Sequence, residues 1–152
     1  MLYFLFLLKV FKKRKKGASM NTEQLKPGMT GQKELVVSLE LTASHLGSGG
    51  VPVFATPMMV LAMEEAARAA VDSILDPGFA TVGYHLDIKH LAPTSLGQKV
   101  TASAKLLEIN GKLLSFSVEA HDENGLIGEG SHVRAIINID KFKEKLVNKK
   151  KN

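Results

Sequence analysis

The alternation of apolar and polar residues predicts one long helix and five strands. Residues 34–43 alternate loosely and are rich in β-branched side chains, which predicts a strand, and the glycine-rich run 44–50 predicts a loop. Apolar residues with helical spacing then extend from about residue 56 to residue 75, where Asp76-Pro77-Gly78 predicts the end of a helix. Each later segment resembles a strand: 81–91, 99–109, 112–122 and 126–139.

Tight-turn signals separate several of these strands. Asn110-Gly111 is the strongest hairpin signal in the chain, and Glu123-Asn124-Gly125 predicts a second tight turn. A strand, one long helix and four strands joined mainly by hairpins predict an α+β fold. In that fold the helix packs on one face of an antiparallel sheet.

The helical phase separates two adjacent carboxylates, Glu64 and Glu65. At about 100° per residue, Glu65 falls on the side of Arg68 and Asp72, which is typical of a solvated face. Glu64 lies at the edge of the apolar stripe, where a carboxylate is either solvated at a boundary or held in a cleft with a raised pKa. The predicted core face consists of Val60, Met63, Ala67, Val71 and Ile74.

The strand 81–91 distinguishes two histidines in the same way. One phase is mostly apolar and is expected to face the helix: Val82, Tyr84, Leu86, Ile88 and His90. His90 would then end the inward row, whereas His85 would point outward beside Asp87. An inward histidine is either a satisfied core residue or, next to the helix-edge Glu64, a base with a charge partner.

Three further positions allow two interpretations each. Thr56, followed by a proline, is either the N-cap of the helix or a functional hydroxyl. Gly83 interrupts a bulky strand, so it marks either a bulge or close packing, or else a backbone N–H that an oxygen can approach. Arg134 shares a phase with His132 in the last strand and is either a surface charge or a phosphate contact.

Charge and composition exclude several classes of function. The chain has 152 residues and a net charge of +5, but residues 21–140 carry eight basic and fourteen acidic residues, so this body is acidic. We therefore expect no nucleic-acid surface on it. The absence of cysteine excludes disulfides, thiolate metal sites and cysteine nucleophiles, and it fits a cytoplasmic location. No spacing typical of a metal site is present.

The two ends of the chain are basic and differ from the body. Residues 1–20 form an apolar run of about eight residues followed by charges, which is too short to span a membrane and has the wrong polarity for a secretory signal. This segment is either a short interfacial anchor or an extension that folding does not need. We favour the second interpretation and expect no membrane contact through it. Residues 21–142 would form the domain, and 143–152 a frayed, lysine-rich tail.

Three segments together resemble a known family. VPVFATPMMVLAMEEAA, TVGYHLDIKHLAPTSLGQKV and GLIGEGSHVRAIINIDKF resemble the hotdog acyl-CoA thioesterases, specifically the fluoroacetyl-CoA-specific-thioesterase-like family. The resemblance covers about residues 24–142. It implies the hotdog fold, in which a curved antiparallel sheet of about five strands wraps one long helix.

The resemblance also implies an activity and its residues. The chain would hydrolyse an acyl-CoA thioester with a catalytic group of Thr56, Glu64 and His90, and Gly83 and Arg134 would bind substrate. The family implies a homodimer with the site at the subunit interface, and it implies no metal or redox cofactor. Whether Glu64 is the nucleophile or a general base stays open, as does the acyl group.

Two other functions are compatible with a hotdog fold. A non-catalytic acyl-CoA-binding hotdog module would not need Glu64 and His90 together, so their joint presence favours the enzyme. A hotdog dehydratase usually has a different Asp/His arrangement, which is not found in this sequence.

Overall fold

The computed structural model describes residues 20–149. The N-terminal apolar and basic segment lies outside these residues, so its interpretation stays a prediction. The elements, in chain order, are β1 (Thr30–Val36), a 3₁₀ turn (Leu39–Leu41), α1 (Ala43–Leu46), α2 (Thr56–Val71), a second 3₁₀ turn (Asp72–Ile74), β2 (Phe79–His90), β3 (Lys99–Asn110), β4 (Leu113–Asp122), β5 (Gly125–Asn138) and α3 (Ile139–Lys149).

The five strands form one antiparallel sheet in the order β1-β3-β4-β5-β2. The predicted hairpin between β3 and β4 is present, and Gly111 has the positive φ of 57° that its turn requires. Helix α2 packs on one face of this sheet, mainly against β1 and β3. The predicted α+β layer is therefore confirmed.

The core lies between α2 and the sheet. Met63, Ala67 and Val71 are buried as predicted, whereas Val60 and Ile74 are only partly buried. Alanine recurs on the buried face and allows the sheet to approach the helix closely. The buried residues of α2 are Met59, Ala62, Met63, Ala66, Ala67, Ala70 and Val71.

The closest approach of sheet and helix is at Gly31 in β1. A Cβ atom added there would collide with the backbone of Ala66 and Ala70 in α2. Only a residue without a side chain allows this packing, so Gly31 sets the distance between β1 and the helix.

The prediction for residues 34–43 was wrong in its bounds. β1 begins at Thr30 and ends at Val36, and the chain then turns through the 3₁₀ segment, where the Thr42 hydroxyl donates to the Leu39 carbonyl at 2.6 Å. The predicted loop 44–50 includes most of α1, which Gly47 ends in the left-handed conformation. Local hydrogen bonds of this kind override a weak strand pattern.

A β-bulge reverses the predicted phase of the first half of β2. The register with β5 shifts between Gly83 and His85, so that Tyr84 is the extra residue. Thr81 and Gly83 consequently face α2, and the predicted inward orientation of Val82 and Tyr84 is wrong. Tyr84 is 70% exposed.

The second half of β2 has the predicted phase. Ile88 packs against the core, and His90 reaches the start of α2. Leu86 shares their phase opposite buried His132, but it is 41% exposed because β2 lies at the edge of the sheet.

Helix α3 includes the described part of the predicted tail, residues 143–149, which is therefore helical rather than frayed. Helix α3 begins after Asn138, whose side-chain oxygen accepts a hydrogen bond from the Lys141 backbone at 3.0 Å. Asp140 in its first turn and Lys149 in its last turn suit the helix dipole. The domain boundary at residue 142 stays a prediction. None of the helices between residues 20 and 149 has the length and apolar character needed to cross a membrane.

Candidate active site

The first residue of α2 and the last residue of β2 form a hydrogen-bonded pair. Thr56 Oγ1 lies 2.8 Å from Nδ1 of His90. Ala55 is the N-cap of α2 and makes no side-chain capping bond. The capping interpretation of Thr56 is therefore wrong, because its hydroxyl contacts an imidazole instead of a backbone N–H.

His90 is partly shielded from solvent. Its Nε2 atom is buried and has no hydrogen-bond partner among the described residues. Burial lowers the pKa of His90, and the Ala92 backbone offsets part of this effect. A neutral imidazole next to a hydroxyl can accept its proton, which is the arrangement of a nucleophile or a water-activating base.

A pocket opens beside this pair. Its volume is about 350 Å³. Its walls come from the segment before α2 and the segment after β2, and they combine polar with apolar side chains. They include Val53, Phe54, Leu91, Ala92 and Pro93. The size and the position next to Thr56 and His90 suit an acyl group or another small apolar moiety.

Glu64 lies two turns further along α2 and belongs to a second group of residues. Its Oε1 atom is 3.4 Å from Nη1 of Arg134, and its side chain is 29% exposed. A Cβ atom added at Gly83 would be 2.6 Å from the same oxygen, so the carboxylate lies directly over the glycine. Neighbouring Glu65 instead forms a surface ion pair with Lys33 at 3.1 Å.

Arg134 is buried rather than a surface charge. Its Nε donates to Thr81 Oγ1 at 2.9 Å, and its Nη2 donates to the Thr81 carbonyl at 3.0 Å. Burial lowers the pKa of Arg134, whereas the carboxylates of Glu64 and Asp72 raise it. A guanidinium stays charged in proteins, so Arg134 places a fixed positive charge beside Glu64.

His132 completes this second group and is not among the site residues predicted from the sequence. Its Nδ1 donates to the His85 carbonyl at 2.9 Å, so Nε2 accepts from Arg134 Nη1 at 3.1 Å. Burial lowers the pKa of His132, and the positive charge of Arg134 lowers it further. The imidazole of His132 is therefore neutral. Its alternation with Arg134 in β5 was the one signal that could have identified it.

The two groups are separate within one chain. Thr56 and Glu64 are eight residues apart in α2, which corresponds to about 12 Å along the helix axis. Gly83 and His90 are seven residues apart in β2, or roughly 20 Å. A single chain therefore brings Thr56 to His90, and Glu64 to Gly83 and Arg134, but it does not assemble all the predicted site residues.

The described residues contain no cluster of three or more histidine or carboxylate side chains that could hold a metal ion. The chemistry available at both groups is that of a hydroxyl, an imidazole, a carboxylate and a guanidinium. These groups support proton transfer and nucleophilic attack at a carbonyl carbon.

Comparisons with known proteins identify the family of this chain. Residues 37–140 match the family described as fluoroacetyl-CoA-specific thioesterase. Over 94 residues the chain is 42% identical to the fluoroacetyl-CoA thioesterase of Streptantibioticus cattleyicolor, and the match covers 62% of this chain and 68% of that protein.

Solved structures have the same fold. A variant of fluoroacetyl-CoA thioesterase in complex with acetyl-CoA is 35% identical, with a TM-score of 0.77 and coverage of 82% of this chain and 98% of that one. A thioesterase-superfamily protein from Thermus thermophilus is 31% identical, with a TM-score of 0.78 and coverage of 84% and 94%. The predicted hotdog fold is confirmed. The chain belongs to the fluoroacetyl-CoA-specific thioesterase family and is an acyl-CoA thioesterase.

Proposed function

We propose that the enzyme is a homodimer whose two active sites each combine residues of both subunits. Thr56 and His90 of one subunit would act together with Glu64, Gly83 and Arg134 of the partner. The observation that supports this proposal is the division of these residues into two groups about 12 Å apart along α2. A second copy of the chain supplies whichever group is missing.

The edge strand β2 offers the surface for such a dimer. Among the described residues β2 pairs with β5 alone, and its outer edge is free. Tyr84 and Leu86 expose apolar surface there. A twofold axis near Leu86 and Asp87 would pair two β2 strands antiparallel, with Gly83 of one strand opposite His90 of the other. The dimer would then have two sites, and each site would combine Thr56 and His90 of one subunit with the Glu64 group of the other.

The proposed reaction is hydrolysis of the thioester bond. His90 takes a proton from water or from Thr56, and an oxygen nucleophile attacks the thioester carbonyl carbon. The C–S bond then breaks, and the CoA thiolate leaves and receives the proton. Glu64 acts either as the nucleophile, through an acyl anhydride that water cleaves, or as the base that activates water.

Gly83 and Arg134 would assist this reaction because both lie next to the Glu64 carboxylate. The missing side chain of Gly83 lets the Glu64 carboxylate lie against the backbone of β2, where it would face the bound thioester. The guanidinium of Arg134 holds the Glu64 carboxylate and supplies positive charge where negative charge develops. The relative from Streptantibioticus cattleyicolor is named for fluoroacetyl-CoA, and we propose a small acyl-CoA for this chain because the pocket is small.

Release of free CoA thiol from a panel of acyl-CoAs tests the activity. The panel should extend from acetyl- and fluoroacetyl-CoA to long-chain and aryl-acetyl-CoA. We expect turnover of a short acyl-CoA. Binding without turnover of any substrate would instead support the non-catalytic acyl-CoA-binding module.

Two adjacent glutamates provide a matched pair of variants. Glu64→Gln should reduce kcat by about 10²–10⁴, because it removes an ionisable group while keeping its shape. Glu65→Gln should leave kcat nearly unchanged, since it affects only the exposed pair with Lys33. Equal losses in both variants, or in neither, would contradict the role of Glu64.

A further inference from the structure

Thr81 connects the buried guanidinium of Arg134 to a carboxylate of the helix, and the reaction described above does not use it. Its hydroxyl donates to Asp72 Oδ1 at 2.8 Å and accepts from Arg134 Nε at 2.9 Å. Its backbone carbonyl accepts from Arg134 Nη2 at 3.0 Å. Thr81 is buried. One residue thus contacts two of the three nitrogens of the guanidinium.

The direction of these bonds fixes the hydroxyl. A carboxylate accepts hydrogen bonds, so the Thr81 proton points to Asp72 and an oxygen lone pair points to Arg134 Nε. With Nε and Nη2 held, the plane of the guanidinium is set. Nη1 is then directed to Glu64 Oε1 at 3.4 Å and to His132 Nε2 at 3.1 Å.

The location of Asp72 indicates a role other than stabilising the helix. It is the C-cap of α2, where a negative charge opposes the helix dipole. Arg68 neutralises it from the solvent side at 2.8 Å, and Thr81 binds its other oxygen. An acid in this position weakens the helix slightly but supplies the acceptor that orients the Thr81 hydroxyl.

We propose that Thr81, oriented by Asp72, is the positioning residue that aims Arg134 at the catalytic carboxylate of Glu64. This inference rests on the proposed function. Thr81 acts through Arg134 and touches no reacting atom, so its loss affects the orientation of the carboxylate rather than the affinity for substrate.

The valine and serine variants of Thr81 test this role. Thr81→Val keeps the shape but removes the hydroxyl, and it should lower kcat by about 10- to 100-fold with KM within about twofold of wild type. Thr81→Ser keeps the hydroxyl and should restore most of kcat. Equal kcat in wild type and Thr81→Val, or a change in KM alone, would overturn the proposal.

In Thr81→Val the buried Nε–H of Arg134 loses its acceptor, and this loss could impair folding. A second variant therefore tests the same role at another residue. Asp72 is partly exposed, so Asp72→Ala should fold, and it should lower kcat in the same direction because the Thr81 hydroxyl is no longer fixed. Arg68→Ala is the control, since Arg68 contacts Asp72 only from solvent. A loss of kcat in Arg68→Ala as large as in Asp72→Ala would contradict a specific path through Thr81.

A measurement without substrate separates this inference from the proposed activity. In ¹⁵N-edited NMR spectra, the buried Nε–H of Arg134 should exchange slowly with solvent in wild type, and Arg134→Lys assigns it. Thr81→Val should accelerate this exchange, and Thr81→Ser should not. Unchanged protection in Thr81→Val would overturn the positioning role even if thioesterase activity is present, and lost protection would support it even if no acyl-CoA is hydrolysed.

Discussion

The hydroxyl of Thr56 and the Nδ1 atom of His90 lie 2.8 Å apart, and they join the beginning of α2 to the end of β2. The second imidazole nitrogen, Nε2, is buried without a partner among the described residues. When Nδ1 accepts the hydrogen bond from the Thr56 hydroxyl, Nε2 carries the ring proton, and His90 can take up a second proton at Nδ1 during the reaction. This pair is one of the two groups of the proposed site that a single chain forms by itself.

The pH dependence of the rate should follow His90. Burial disfavours the imidazolium, so the pKa of His90 lies below its usual value of 6.5. A base must be neutral, and the lowered pKa means that His90 becomes protonated only at a lower pH than an ordinary histidine does. The acid limb of kcat/KM should therefore have its midpoint below 6.5, as measured by thiol release between pH 4.5 and 8. A midpoint at or above 6.5 would contradict the buried environment. His121→Gln, at an exposed position in β4, should leave the midpoint unchanged.

Alanine at Gly83 should lower activity while leaving the stability of the fold nearly unchanged. Its Cβ would lie 2.6 Å from Glu64 Oε1 and 3.7 Å from His132 Cε1. The flexible end of Glu64 can move away, so the free energy of unfolding should change by less than about 1 kcal/mol. The displaced carboxylate should lower kcat by at least about tenfold. Gly50→Ala, with no atom within 4 Å of the added Cβ, is the control for both measurements. A wild-type kcat in Gly83→Ala would place Glu64 outside the reaction.

Alanine at Gly31 should instead lower the stability of the fold. The added Cβ would meet the backbone of α2 rather than a flexible side chain, so the helix and β1 would have to separate. We expect a loss of about 1–3 kcal/mol in the free energy of unfolding, measured by urea denaturation. Gln32→Ala changes the adjacent exposed residue of β1 and should have little effect. Equal stability of Gly31→Ala and wild type would mean that β1 and α2 do not pack this closely.

The main elements could be predicted because their patterns are local. The helical spacing of α2 and the Asn110-Gly111 turn each depend on a few neighbouring residues. The bulge at Tyr84 could not be predicted, because a single extra residue in β2 reverses the phase without changing composition. For this reason the alternation predicts Val82 and Tyr84 on the side of the helix, where the structure has Thr81 and Gly83.

The site was predictable only in part. The helical phase distinguished Glu64 from Glu65, and the structure places Glu65 in a surface ion pair. The partners of Arg134 could not be found in this way, since Thr81 and His132 approach it only when β2 and β5 pair. The division into two groups likewise depends on distances along α2 and β2 rather than on residue types.

Activity in mixed dimers tests the central claim most directly. Glu64→Gln and His90→Ala, each inactive alone, can be co-expressed with different affinity tags so that only dimers containing both are purified. If each site takes Glu64 from one subunit and His90 from the other, the mixed dimer has one intact site and should recover about half of the wild-type activity. Mixed dimers as inactive as the two parent variants would show that both residues act within one chain, and they would contradict the shared site.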